Sequence, residues 1–285
     1  MKTLKLTVLC LLLFAFTYAD VSKTEKDALI ALYNATEGES WNTTWDLNQP
    51  INTWHGVTIE NDQVVALKLN FNNLKGNIPE DIKAFTELKT LDLSFNKLEG
   101  GLPNGLTTLT QLEGLYLFSN NLSGSIPNSI GNLVNLKSLE LFNNNFMGPI
   151  PVSIGKLKHL ENLLLSSNQL MGKLPVTISN LKALKKLSVF DNNLLGAIPN
   201  SISELTNLEE LILSNNSFYG SLPSGLANLT KLNTLLLGNN AIKGNLANLQ
   251  EQLPNIINID IDASNTRGKL ATLDEETDDE DEDDN

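Results

Sequence analysis

A chain of 285 residues is long enough to bury a substantial hydrophobic core. Its formal net charge of −13 is concentrated at one end, because residues 274–285 hold ten carboxylates in twelve positions. Without those ten charges the rest of the chain carries only −3 and has no basic patch, which argues against a nucleic acid partner.

Residues 1–19 have the three parts of a secretory signal peptide. Two lysines precede an apolar run over 6–16, and Ala19 ends an acceptable cleavage site. Cleavage there would make Asp20 the mature N-terminus and would remove Cys10, the single cysteine of the sequence. The run is too short for a stable membrane span; an uncleaved anchor is the alternative. We therefore expect a secreted protein without a disulfide bond, periplasmic or on the cell surface if the source is Gram-negative.

Residues 20–63 are predicted to form an N-terminal cap. Ser22 and Glu25 make a capping box that begins a helix, and the helix is predicted to end at Ala35. The apolar face of this helix contains Ala28, Leu29, Leu32 and Tyr33. Three tryptophans follow closely and can hold the cap together by packing; they are Trp41, Trp45 and Trp54.

From residue 64 to residue 255 the sequence repeats every 24 residues, in eight copies. The copy at 112–135 reads LEGLYLFSNNLSGSIPNSIGNLVN. Leucines at its first, fourth and sixth positions predict a short strand with one buried face. Glycine at the thirteenth position permits a bend, and the Ile-Pro pair that follows suits an extended segment. Because no unit can bury its own apolar side chains alone, the units must stack on one another.

The ninth position of every copy is asparagine. A polar side chain among leucines should be buried and hydrogen-bonded. An amide both donates and accepts, so stacked copies can satisfy the backbone groups of adjacent turns. The predicted ladder consists of Asn72, Asn96, Asn120, Asn144, Asn168, Asn192, Asn216 and Asn240.

The pattern L-x-x-L-x-L-x-x-N-x-L-x-G-x-I-P resembles the plant-type leucine-rich repeat of plant receptor ectodomains, polygalacturonase inhibitors and secreted bacterial and protist proteins. The resemblance implies an α/β solenoid, a right-handed superhelix with a concave parallel β-sheet and a helical N-terminal cap. It also implies binding rather than catalysis. Residues 54–57, WHGV, resemble the W-x-G-V element of the family's cap. Asn52 and Ile59 stand where plant proteins have cysteines, so the cap is more similar to cysteine-free bacterial or protist members.

The repeat pattern is lost gradually toward the C-terminus. A partial ninth unit starts at Ile256, and Ser264 stands where its ladder asparagine would be. Residues 256–273 are predicted to form a C-terminal cap, and residues 274–285 a disordered tail, because like charges repel and bury nothing. The tail is expected to be a solvated extension; weak divalent-cation binding and docking to a basic partner are the alternatives.

The sequence favours no catalytic, metal or cofactor site. His55 lies in the cap and His159 at the end of a repeat, too far apart along a solenoid for a nucleophile–base contact. The glycines occur singly at the repeat period, so they form no phosphate-binding loop.

The variable positions of the concave face carry the candidate site. They are the third, fifth, seventh and eighth positions of each unit, and clustered aromatic side chains there suggest an interface. The predicted binding residues are Tyr116, Phe118, Glu140, Phe142, Leu164, Phe190 and Ile212. The alternative is that these rings pack on their neighbours along the sheet, and a structural role is favoured for Phe71 and Phe95. Glu80 and Asp81, on the far side of the first repeat, are expected to be neutral positions.

We therefore expect an exported, monomeric binding module that recognises a protein or an extracellular glycan through its concave face. One alternative is an inhibitor or sensor of extracellular polysaccharide-active enzymes, and another is a structural or adhesive surface protein. A third is an ice-binding protein, because plant antifreeze proteins share the scaffold; this function needs a flat array of Thr, Ser or Asn. An enzyme is the least favoured class.

Overall fold

The computed structural model describes residues 21–243, 253 and 255–260. The predicted signal peptide 1–19 and acidic tail 274–285 lie outside the described residues, as does most of the predicted C-terminal cap 256–273. Within the described part, the structure contains no helix that is both long and apolar enough to cross a bilayer.

One α-helix, Lys23–Ala35, begins the described chain. The hydroxyl of Ser22 accepts a hydrogen bond from the backbone amide of Glu25 at 3.2 Å, as the capping box predicts. The buried apolar face consists of Ala28, Leu29, Leu32 and Tyr33. Glu25 is buried as well, and its Oε1 accepts a hydrogen bond from the backbone amide of Val64 at 3.0 Å. The helix is therefore fastened to the first repeat in addition to packing on it.

The three cap tryptophans form one aromatic cluster. Trp45 stacks on Trp54 with ring centroids 4.8 Å apart, and it meets Trp41 edge-on at 4.9 Å. The indole N–H of Trp41 donates to the carbonyl of Thr36, and that of Trp45 donates to the carbonyl of His55. Buried rings with satisfied polar atoms thus hold the cap together, and its sequence contains no cysteine.

Among the described residues, ten strands form the concave sheet. The first two are an antiparallel hairpin, and each later strand lies parallel to the one 24 residues earlier, as in the pairing of Leu115 with Leu139. The strands are Val57–Glu60, Gln63–Lys68, Thr90–Asp92, Gly114–Tyr116, Ser138–Glu140, Asn162–Leu164, Lys186–Ser188, Glu210–Ile212, Thr234–Leu236 and Asn258–Asp260.

Eight further strands of the described chain lie after the ladder asparagines and form a second sheet, which we name the flank sheet. They are Lys75–Asn77, Lys97–Gly100, Asn121–Ser125, Asn145–Gly148, Gln169–Gly172, Asn193–Gly196, Ser217–Ser221 and Ala241–Lys243. Described units close with 3₁₀ helices at Glu80–Ala84, Asn104–Thr108, Asn128–Asn132, Val152–Lys156, Val176–Asn180, Asn200–Glu204 and Ser224–Asn228, and the cap adds Gly38–Ser40 and Ile51–Thr53. The buried leucines and isoleucines of all these elements form one continuous core. The predicted α/β solenoid with its parallel sheet and helical cap is confirmed.

The ninth-position amides join each repeat to the one before it. Asn144 accepts a hydrogen bond from the backbone amide of Leu122 at 2.9 Å, and it donates to the carbonyls of Leu117 and Leu141 at 2.9 and 3.1 Å. Donation to the preceding repeat recurs along the stack. At the start of the ladder, Asn72 exchanges hydrogen bonds with the backbone of Thr43 in the cap.

Glu80 links two repeats on the far side of the solenoid. Its carboxylate accepts hydrogen bonds from the backbone amides of Asn104 and Gly105, at 2.9 and 2.6 Å. These amides begin the next 3₁₀ helix, where backbone donors lack partners inside the helix. These hydrogen bonds argue against the expectation that Glu80 is a neutral position and do not affect the same expectation for its exposed neighbour Asp81.

Candidate functional site

The predicted binding residues lie on the concave sheet in register. Tyr116 pairs with Asp92 on one side and with Glu140 on the other, and Leu164 follows beside Glu140. All seven predicted residues are half-buried. Phe190 and Ile212 lie further along, beyond the hydrogen-bonded hydroxyls of Ser166 and Ser188. The structure therefore brings five of the seven together; they are Tyr116, Phe118, Glu140, Phe142 and Leu164.

Four phenylalanines form a continuous line that we name the aromatic column. Phe118 and Phe142 stack with centroids 4.3 Å apart, and Phe95 meets Phe118 edge-on at 5.0 Å. Phe71 stacks on Phe95 at 4.0 Å. The rings do contact their neighbours along the sheet, yet Phe71 and Phe95 remain 60% and 43% exposed. The two rings that the sequence analysis had assigned a structural role thus form the more exposed end of the column.

The backbone at the eighth position is left-handed in every repeat, with φ between 50° and 55°. Asparagine, aspartate and serine occupy this position in the later repeats, as at Asn143 and Asp191, and short polar side chains tolerate such a backbone. Phe71 and Phe95 adopt it with bulky rings, which is unusual. Strained backbone positions of this kind concentrate at functional sites. The strain is therefore a further reason to include Phe71 and Phe95 in the candidate site.

Two carboxylates flank Tyr116 on the neighbouring strands. Burial, as the largest cause, and the negative charges of Glu140 and Asp92 raise the pKa of the Tyr116 phenol above its ordinary value. The ring lies over Gly114, where an added Cβ would come within 2.6 Å of it. Asp92 accepts a hydrogen bond from the hydroxyl of Ser94, and neither Asp92 nor Glu140 belongs to an ion pair between described residues. The two carboxylates form a negative patch around Tyr116, and Lys68 lies on the strand on the other side of Asp92.

Charges along the edge of the concave sheet are arranged differently. The second position alternates in sign through six repeats, as Lys89, Glu113, Lys137, Glu161, Lys185 and Glu209. Lys137 pairs with Glu113 at 2.7 Å, and Lys185 pairs with Glu161 at 2.6 Å. Such exposed pairs add little stability, but they neutralise the edge. The carboxylates of Asp92 and Glu140 beside Tyr116 differ from this edge, because neither belongs to an ion pair between described residues.

In the part of the chain that the structure describes, no three His, Cys, Asp or Glu side chains are grouped so that they could hold a metal ion. His55 and His159 are both exposed.

Comparison with known proteins agrees with the repeat geometry. A profile described as "Leucine-rich repeat region" matches residues 128–269, and one described as "Leucine Rich Repeat" matches 87–109 and 111–133. The chain is a leucine-rich repeat protein. This leucine-rich repeat protein is 36% identical over 89 residues to a probable leucine-rich repeat receptor-like protein kinase of Arabidopsis thaliana. The match covers 30% of the chain and 9% of that kinase.

Several solved structures resemble this leucine-rich repeat protein. The Arabidopsis receptor kinase HAESA, in complex with the peptide hormone IDA and the co-receptor SERK1, has a TM-score of 0.77 and 31% identity. The plant peptide hormone receptor RGFR1 in complex with RGF2 has a TM-score of 0.66 and 37% identity. The chain is covered to 84% and 68% in these matches, but it spans only 41% and 31% of the two receptor structures. A plant ice-binding protein matches with a TM-score of 0.54 and 26% identity, over 79% of this chain and 88% of that one.

Proposed function

We propose that this leucine-rich repeat protein is an extracellular binding module that takes an extended peptide segment of a protein partner along its concave face. The observation that carries the proposal is the aromatic column, four contacting rings on the concave side with the exposed end at Phe71 and Phe95. The printed descriptions of similar receptor structures name peptide hormones as their ligands, which supports this class of partner. The predicted signal peptide 1–19 supports export.

The spacing of the site suits an extended chain. Strands of one sheet lie about 4.8 Å apart, so four rings span about 14 Å across the strands. An extended peptide advances about 3.3 Å per residue and would cover that distance with about five residues. Its apolar side chains would pack on the column, where interfaces concentrate aromatic anchors.

The negative patch around Tyr116 favours a positively charged residue in the bound peptide. The carboxylates of Asp92 and Glu140 lie on either side of Tyr116 without an ion-pair partner among the described residues. A lysine or arginine of the peptide would meet opposite charge there and the face of an aromatic ring nearby. The preferred segment therefore combines aromatic or aliphatic residues with a cationic one.

A pair of variants tests the proposal. The chain from Asp20 onward is used to select binders from a phage-displayed library of random dodecapeptides, and the selected peptides are synthesised and titrated. Phe118→Ser with Phe142→Ser should abolish binding while the fold persists. The matched control is Val152→Ser with Val176→Ser, because both valines are exposed apolar residues in 3₁₀ helices outside the concave sheet. Peptides that bind parent and Phe variant equally would overturn the proposal.

Ice binding is a second candidate, favoured by one surface. The tenth position exposes a rank of polar side chains on five consecutive flank strands, Asn121, Asn145, Gln169, Asn193 and Ser217. Their regular spacing, together with the similar plant ice-binding protein, supports this candidate. Freezing-point hysteresis of the purified chain tests it, and its absence at submillimolar protein removes ice binding from consideration.

The remaining alternatives concern the partner's class. A glycan ligand, an extracellular polysaccharide-active enzyme under inhibition or sensing, and an adhesive surface partner would all use exposed aromatic side chains. Glycan arrays and capture of secreted proteins, each repeated with the Phe118 and Phe142 variant, separate these cases from peptide recognition. Binding of a glycan with no selected peptide would favour the glycan.

A further inference from the structure

The flank sheet exposes four apolar side chains in consecutive repeats. Met147, Met171, Leu195 and Tyr219 occupy the twelfth position and are 45%, 50%, 41% and 52% exposed. We name this row the flank ridge. The residue before each ridge residue is fully buried, as Leu170 is before Met171, so successive side chains alternate between core and surface. The ridge therefore lies on the outer face of the flank sheet, and contiguous exposed apolar patches on soluble proteins mark interaction sites.

Side chains of opposite charge occupy the twelfth position at equal distances on the two sides of Met171. Glu99 occupies it in the second repeat and Lys243 in the eighth. Each lies 72 residues, or three repeats, from Met171. Both are exposed, and neither belongs to an ion pair between described residues. Ser123 lies between Glu99 and Met147, and Lys75 of the first repeat is ion-paired with Glu37 of the cap. An apolar centre with one acidic and one basic end at equal distances is complementary to itself when it is turned around.

We infer that the flank ridge binds a second copy of this chain, with a two-fold axis at Met171 that runs along the strands. This axis places Met147 opposite Leu195 of the second copy and Glu99 opposite Lys243. A two-fold interface uses the same patch on both subunits and must be self-complementary. The pairing meets that condition over six strand spacings, about 29 Å at about 4.8 Å per strand.

An axis along the solenoid instead would align equal repeats and place Glu99 against Glu99. Like charges in contact disfavour that arrangement. The tenth-position side chains beside the ridge are compatible with the axis along the strands. This axis places Gln169 opposite Gln169 of the second copy and Asn145 opposite Asn193, and these amides can hydrogen-bond because amides both donate and accept. Lys173 does not block the axis, since its stem leans over the next repeat and lies 3.0 Å from where a Cβ on Gly196 would be.

The expected dimer is weak. Four side chains make a small contact compared with the roughly 800 Å² per partner of a standard interface, so dissociation in the micromolar range is expected. The dimer leaves the concave sheet free, because the flank ridge lies on the other run of strands. A dimer would differ from the monomer expected from the sequence.

Sedimentation equilibrium of the chain from Asp20 onward, from low micromolar to submillimolar concentration, tests the inference. The parent should dimerise, and Met171→Glu should be monomeric because it brings two carboxylates together at the axis. Val176→Glu is the matched control: Val176 is 68% exposed in the same repeat but lies in a 3₁₀ helix, so this variant should dimerise like the parent. Circular dichroism checks that each variant is folded.

A charge exchange and a cross-link make the test specific. Glu99→Lys should weaken the dimer at least several-fold, and adding Lys243→Glu should restore it. In the chain from Asp20 onward, which has no cysteine of its own, Met171→Cys should give a reducible covalent dimer, whereas Val176→Cys should not. A parent that stays monomeric, a Met171→Glu variant that dimerises like the parent, or an exchange that fails to restore the dimer would each overturn the inference.

Discussion

Glu25 and Val64 are joined by a buried hydrogen bond. The carboxylate of Glu25 accepts the backbone amide of Val64 at 3.0 Å, across 39 positions of sequence. Val64 begins the first repeat, where no preceding repeat exists to cover its backbone and apolar edge. A solenoid needs such a terminal cover, and here one helix side chain supplies the missing acceptor.

We expect Glu25→Ala to lower the free energy of unfolding by about 1–3 kcal/mol, because it leaves a buried backbone donor without a partner. Glu25→Gln retains an acceptor oxygen and should cost less. Asp27→Ala, an exposed change in the same helix, is the control. Urea unfolding measures all three, and equal midpoints for Glu25→Ala and Asp27→Ala would show that the hydrogen bond contributes nothing.

The ladder gives a second stability prediction. Asn144→Leu should lower the free energy of unfolding by about 1–3 kcal/mol, because the backbone groups of three residues lose their buried partner. The neighbouring change Asn145→Leu is the matched control, since Asn145 is exposed on the flank sheet. A urea midpoint for Asn144→Leu equal to that of the control would contradict the prediction.

Two phenylalanines four residues apart separate packing from binding. Phe146 is fully buried, so Phe146→Ala should cost about 3–5 kcal/mol. Phe142 is half-buried and keeps one stacked neighbour, Phe118, so Phe142→Ala should cost about 1 kcal/mol, the scale of one aromatic pair. Chemical denaturation of both variants decides between the roles. Equal losses would mean that the aromatic column serves packing alone.

The alkaline titration of Tyr116 reports the negative patch. Its pKa is raised in the folded protein by burial and by Glu140 and Asp92. The folded state therefore holds the phenolic proton to higher pH than the unfolded state, so the contribution of Tyr116 to stability is full below the unfolded pKa and is lost as pH rises through the higher folded pKa. Tyr116→Phe should flatten this alkaline loss. In ultraviolet titration, Asp92→Asn with Glu140→Gln should lower the pKa of Tyr116. An unchanged pKa would show that these two carboxylates do not raise it.

The repeat period accounts for how much could be predicted from the sequence. Apolar spacing and the fixed glycine define strand, bend and stacking direction, and these determine the solenoid. The hydrogen-bonded partners of Glu80 and Glu25 could not be predicted in this way, because each depends on where a neighbouring element ends in space. The flank ridge could have been predicted from the sequence, since Met147, Met171, Leu195 and Tyr219 share one position of the repeat.

The candidate site was predictable only in part, for a similar reason. Sequence position placed Phe118 and Phe142 on one face, but ring contacts depend on rotamers and on the backbone of the neighbouring repeat. Phe71 and Phe95 join the aromatic column from the eighth position, where the backbone is left-handed. Phe95 contacts the seventh-position ring of Phe118, and Phe71 stacks on Phe95. The alternation of side chains along a strand does not predict this left-handed turn of the backbone.

Glu80 and Asp81 give a final paired test. Both are exposed acidic residues at the start of one 3₁₀ helix, so residue type and exposure alone predict equal effects of mutation. Only Glu80 reaches the next repeat, where it accepts the backbone amides of Asn104 and Gly105. Glu80→Ser should therefore lower the urea midpoint and speed the hydrogen exchange of these two amides, while Asp81→Ser should do neither. Added salt should shrink the difference only slightly, because charge-assisted hydrogen bonds depend on contact more than on distant fields. Equal midpoints and equal exchange rates for the two variants would show that Glu80 is solvated rather than bridging.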